Sequence, residues 1–186
     1  MSAPLKQKTM TVDEFIPWAM ARPRGRYELI NGEVVMMSPE RAAHWRAKAS
    51  VHMALALAVK CAGLSCEAVP DGATVRIHER TAYEPDALVY SGPRVPDHSV
   101  EVPNPVIVVE VASPSTSDTD TGAKFRGYFS LPSVRHYLII DPEERFIVHH
   151  ERGADGRIVS TSWTEGTLVL DPPGIEVSVT EMLPLD

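Results

Sequence analysis

With 186 residues the chain is long enough for one domain and too short for two comfortable ones. Its 44% hydrophobic and 23% charged residues exclude wholesale disorder, and no apolar run is long enough to span a bilayer. A net charge of −7 excludes a generally basic DNA-coating protein. The charge is uneven. Residues 1–140 hold 15 acidic and 15 basic side chains, whereas residues 141–186 hold 10 acidic and 3 basic, so a polyanion would meet the first three quarters of the chain. The first twenty residues lack the basic start and apolar core of a secretory signal. Cys61 and Cys66 form neither a metal pattern nor a disulfide framework and read as small hydrophobes, which points to a cytoplasmic, reducing setting.

In chain order, Thr11 and Glu14 read as a capping box opening a short helix that Pro17 should kink. Tyr27–Ile30 and Glu33–Met37 flank Asn31-Gly32, a strong signal for a two-residue hairpin turn. Pro39 and Glu40 open a long, alanine-rich helix running to about Cys61. After Gly63 the texture turns to strands at Leu64–Val69, Ala73–His78 and Asp86–Tyr90, then at Val106–Ala112, whose unbroken apolar run suits a strand buried on both faces. A polar loop leads to a second helix near Thr119–Ser130. Strands His136–Asp141 and Phe146–His150, an Asp155-Gly156 hairpin and a β-rich tail complete the chain. The fold class is α+β, with one mixed sheet, flanking helices and additional hairpins, in a single domain. Its core covers about residues 11–150, followed by the acidic portion 151–186.

Glu110 is the main anomaly, because it interrupts Val106–Ala112. A carboxylate in a buried strand is costly unless paired, protonated or bound to a metal. The bland alternative is that it ends the strand and meets an arginine at the sheet's rim. A second carboxylate, Asp86, follows Pro85 at a strand entrance. Two carboxylates on neighbouring strands can hold one hard cation such as Mg²⁺.

Pro85-Asp86 followed by Glu110-Val111-Ala112 resembles the metal-binding signature of the PD-(D/E)XK nuclease superfamily. The opening Tyr27–Glu33, the run Val109–Thr116, and then Lys124, Tyr128, Tyr137 and Asp141-Pro142 resemble the Uma-two family of restriction endonucleases. The resemblance implies a restriction-endonuclease-like core, a divalent metal and hydrolysis of a DNA phosphodiester. One departure stands out: the superfamily's lysine two residues after the glutamate is Ala112 here. A small residue at that place leaves room for a lysine from elsewhere, and Lys124, in the following helix, matches the family's lysine. Tyr128 shares its helix face at i+4, whereas Arg126, the other candidate cation, points elsewhere. Across the hairpin Glu28 should pair with Val35, either completing the metal shell or facing water.

The long helix places His44, Lys48 and His52 on one face. That face is either a phosphate-facing stripe, with His44 nearest the site, or a plain wet surface. His149 and His150 alternate across a strand and read as structural.

The resulting expectation is a metal-dependent endonuclease. Asp86, Glu110 and the Val111 carbonyl hold Mg²⁺ or Mn²⁺, Lys124 serves the reacting phosphate, and Glu28, His44 and Tyr128 are possible additional members. DNA is the expected partner, no membrane is involved, and a homodimer is expected, partly because an apolar C-terminal portion calls for more cover than a monomer of this size offers. Two rival readings are a non-catalytic interaction module on the same fold and a hydrolase of another phosphoester.

Overall fold

The computed structural model describes residues 9–22, 24–112 and 120–183. Ser113–Thr116 of the resembling run, and Thr119 at the expected start of the second helix, lie outside them. Thr11 caps α1 (Val12–Met20) through the reciprocal bonds of a capping box with Glu14, and the helix continues through Pro17. Strands β1 (Tyr27–Ile30) and β2 (Glu33–Met36) pair across Asn31 and Gly32, which have φ of 53° and 87°, the left-handed geometry a tight hairpin turn requires. Glu28 faces Val35 in the register, as the turn dictates.

Helix α2 (Ala42–Cys61) begins two residues later than its sequence suggests, because Glu40 is drawn into ion pairs instead of the first turn. Then come β3 (Cys66–Pro70), β4 (Val75–His78), β5 (Thr81–Tyr83), β6 (Ala87–Ser91) and β7 (Pro105–Val111). Asp120–Lys124 forms a single π-helical turn that runs into α3 (Phe125–Ser130). The chain ends with β8 (His136–Asp141), β9 (Phe146–Arg152), β10 (Ile158–Trp163), β11 (Thr167–Leu170), β12 (Ile175–Ser178) and the single turn α4 (Val179–Met182).

The mixed sheet expected from sequence is present, and two further sheets stand where additional hairpins were expected. The central sheet has the order β10-β9-β8-β7-β6-β3, with β7 and β8 parallel and the other pairs antiparallel. A four-stranded antiparallel sheet, β2-β1-β5-β4, stands beside it, and β11 and β12 form a separate hairpin. β5 builds the four-stranded sheet. This three-residue strand, too short to show a pattern, joins the first hairpin to β4.

The middle strands of the central sheet, β6 to β8, are buried on both faces. On one, Ala87, Val89, Ile107, Val109, Leu138 and Ile140 meet Ala47, Val51 and Leu55 of α2. On the other, Leu88, Tyr90, Val108 and Ile139 meet Tyr128 and Phe129 of α3. Leu168, Leu170, Ile175, Val177, Val179, Met182 and Leu183 all belong to the α2 core. The apolar C-terminal portion is therefore covered by the chain itself, which corrects the reasoning that made it a reason to dimerise. The outward face of α2 does expose Trp45, Met53 and Leu57.

Candidate active site

β7 delivers Glu110 to the α3 side of the sheet, at 3% exposure. Its Oε1 accepts from the Tyr128 hydroxyl at 2.6 Å and its Oε2 from Lys124 Nζ at 2.9 Å. A buried lysine and a buried tyrosine thus hold it inside the fold, and no arginine at the sheet's rim pairs with it among the described residues. Burial, reinforced by the negative charge of Glu110, pushes the Tyr128 hydroxyl well above its ordinary pKa. Tyr128 therefore stays a neutral donor to the carboxylate at any physiological pH.

Lys124 is 5% exposed and also pairs with Glu28 Oε1 at 3.1 Å. Glu28 is buried, and the same oxygen accepts the Glu84 amide at 2.9 Å, so it faces the site and not water. The Tyr83 ring lies 5.7 Å from the Lys124 ammonium and edge-on to Tyr128 at 5.4 Å.

Asp86 is fixed to β7 at two points, one on each side of Glu110. Its amide donates to the Val109 carbonyl at 3.0 Å, and its Oδ2 accepts the Val111 amide at 2.7 Å. From the opposite face α2 contributes Lys48, whose Nζ lies 2.6 Å from Asp86 Oδ1. His44, one turn earlier, contacts the Val111 carbonyl through Nε2 at 2.8 Å. The site is therefore built at the end of β7 from both layers, with α2 serving Asp86 and α3 serving Glu110.

Asp86, Glu110, Val111, Lys124, Glu28, His44 and Tyr128 converge here. Lys48 is the residue the sequence did not single out from its helix face: of the two readings of that face the wet surface fails for it, since it is 6% exposed within the site. His52 instead reaches the Ala68 carbonyl, and Arg126 is exposed. In the structure Lys48 lies at i+1 from Ala47 and i−3 from Val51, on a buried side of the helix that its alanine-rich sequence does not mark. A lysine there is as anomalous as a glutamate in a buried strand.

Lys48 also touches Glu40 and lies 3.2 Å from Asp71 Oδ2, and Arg26 bonds Glu40, Asp71 and Glu84 at 2.8–2.9 Å. Burial opposes the charge on Lys48, but Asp86 and its hydrogen-bond partners outweigh it and raise its pKa. Glu40 and Asp71 are buried enough to be pushed up, yet Lys48 and Arg26 bring both below the ordinary carboxylate value. Glu84 goes the other way, since burial dominates its pairing with Arg26.

Among the described residues no three His, Cys, Asp or Glu side chains form a metal cage. Asp86, Glu110 and the Val111 carbonyl instead offer an all-oxygen set, with one donor from the main chain. That donor chemistry fits a hard divalent ion that keeps several waters. Cys61 is exposed and Cys66 packs beside the α2 core, so only the latter acts as a small hydrophobe. No helix among the described residues is long and apolar enough to cross a membrane.

Residues 12–185 match the model of the Uma2 family, described as putative restriction endonuclease. Two relatives from Synechocystis sp. are similar: uncharacterized protein slr1290, 28% identical over 156 residues, covers 83% of this chain and 80% of its own length. Uncharacterized protein sll1609, 28% identical over 131 residues, covers 69% and 73%. The crystal structure of a putative nuclease belonging to DUF820 from Anabaena variabilis superposes with a TM-score of 0.73 at 15% identity, covering 93% of this chain and 97% of that one. That likeness establishes a nuclease-like α+β fold. Since the family match runs from the first helix through the C-terminal hairpin, the chain belongs to the Uma2 family of putative restriction endonucleases.

Proposed function

We propose that this protein is a divalent-metal-dependent endonuclease that hydrolyses DNA phosphodiester bonds. The observation that carries the reading is the buried Glu110, flanked by Asp86 and paired with Lys124, in a chain of this family. Asp86, Glu110 and the Val111 carbonyl would hold Mg²⁺ or Mn²⁺, which supplies Lewis-acid polarisation of the phosphate and a bound water of lowered pKa.

The chain's own residues supply positioning and charge. Lys124, held between Glu28 and Glu110, presents an ammonium where negative charge grows as the water oxygen bonds phosphorus and the P–O bond to the leaving group breaks. Tyr128 fixes the rotamer of Glu110, and His44 fixes the Val111 carbonyl. The reading extends to a cytoplasmic homodimer, in which two sites would face the two strands of a duplex.

Incubation of supercoiled plasmid and duplex oligonucleotides with Mg²⁺ or Mn²⁺ tests this, with Asp86→Asn as control. Metal-dependent cleavage that Asp86→Asn abolishes is expected. Metal binding without cleavage of any nucleic acid would select a non-catalytic module, and turnover confined to small phosphoesters would select another hydrolase.

A further inference from the structure

Every oxygen of the proposed donor set already has a partner. The Val111 carbonyl meets His44, and both oxygens of Glu110 are engaged by Tyr128 and Lys124. Asp86 Oδ2 is tied to the Val111 amide, which leaves Oδ1 as its outward oxygen, and that oxygen carries the Lys48 ammonium at 2.6 Å. A monovalent and a divalent cation cannot share one oxygen without strong like-charge repulsion.

The two lysines differ in what else holds them. Lys124 lies between Glu28 and Glu110, both within the site. Lys48 has its remaining partners, Glu40 and Asp71, outside the donor set, in the cluster that also contains Arg26. Its four-carbon stem can rotate the ammonium off Asp86 while those carboxylates keep it neutralised. Removal from Asp86 therefore does not strand a buried charge.

Resting on the metal-site reading above, we infer that Lys48 is a built-in competitor for the divalent cation at Asp86. Metal binding at this site is a displacement, in which the Lys48 ammonium yields Asp86 Oδ1 and is retained by Glu40 and Asp71. Lys48 thereby sets how much free metal is needed to load the site. It is a positioning residue for the metal, distinct from Lys124.

Calorimetric titration of the full chain with Mn²⁺ alone, without nucleic acid, tests the inference. Lys48→Met should bind Mn²⁺ about tenfold or more tighter than wild type, since the ammonium on Asp86 Oδ1 is gone while Arg26 still pairs with Glu40 and Asp71. Lys48→Gln, which keeps a hydrogen-bond donor but no charge, should tighten binding in the same direction and serves if the methionine variant does not fold. Lys48→Arg, which keeps the charge, should not tighten it. If wild type binds in an Asp86-dependent manner and neither neutral variant binds tighter, the inference fails while the metal site stands. If Asp86→Asn binds Mn²⁺ as wild type does, or wild type does not bind it, the metal site and the inference fall together.

Discussion

Buried opposite charges are strongly coupled: together they are tolerable, but either one alone is expensive. Lys124→Met keeps the stem and removes the charge, leaving Glu28 and Glu110 facing each other without it. We expect cleavage to fall about a hundredfold or more, the scale of losing one preorganised electrostatic group. The same variant should lose about 3–5 kcal/mol of stability by urea unfolding, because two carboxylates stay buried. Arg126→Met, on an exposed side chain, should be near neutral in both assays. Cleavage by Lys124→Met at the parental rate would remove the lysine from the mechanism. Tyr128→Phe deletes only a hydroxyl, yet it leaves a Glu110 oxygen short of a buried donor, so a loss of about 1–3 kcal/mol is expected. Glu110 was legible because six apolar neighbours surround it in sequence. Lys48 was harder to read because an alanine-rich helix offers little contrast between its faces. Only the packing shows which face is covered.

Among the elements, α3 approaches the four-stranded sheet at Gly127. A Cβ there would stand 2.6 Å from Tyr83 Cε2 and 3.1 Å from its hydroxyl. Alanine gains up to about 1 kcal/mol of helix propensity over glycine in an exposed helix. Here the ring it would strike is buried against Tyr128, so overpacking should win and Gly127→Ala should cost about 1–3 kcal/mol. An unchanged or raised melting temperature would show that α3 can move away freely.

The β8–β9 pair holds a different feature. His136 Nδ1 and His149 Nε2 are 2.9 Å apart and both side chains are buried. Burial, with repulsion from His136 and His150, lowers His149 from 6.5 to about 4, and burial lowers His136 as well. The unfolded chain takes up its proton near pH 6.5 and the folded His149 only near pH 4. This contribution to stability is thus complete above pH 6.5 and declines as pH falls through that interval, by up to about 3 kcal/mol. Thermal unfolding should show the decline in wild type and a shallower one in His149→Gln. Most helices and strands were readable from pattern and punctuation, but β5 was not. Its burial against the first hairpin is a tertiary fact with no period to announce it.

For the molecule as a whole, the proposed homodimer predicts a light-scattering mass of twice 20.4 kDa at micromolar concentration. A monomer mass there would retire it. The expectation first leaned on the C-terminal apolar residues, and sequence alone could not show that α2 already covers them. Hydrophobicity identifies what must be buried without naming the surface that buries it.

That same closure orders events during synthesis. Ala47, Val51 and Leu55 emerge early from the ribosome, but the residues that seal them against solvent, Leu168 to Leu183, are made more than a hundred residues later. The α2 layer cannot complete its packing until β11, β12 and α4 have been made, long after α2 itself. A stalled or truncated chain ending before β11 would carry an open apolar helix face, the kind of surface that chaperones hold and proteases find.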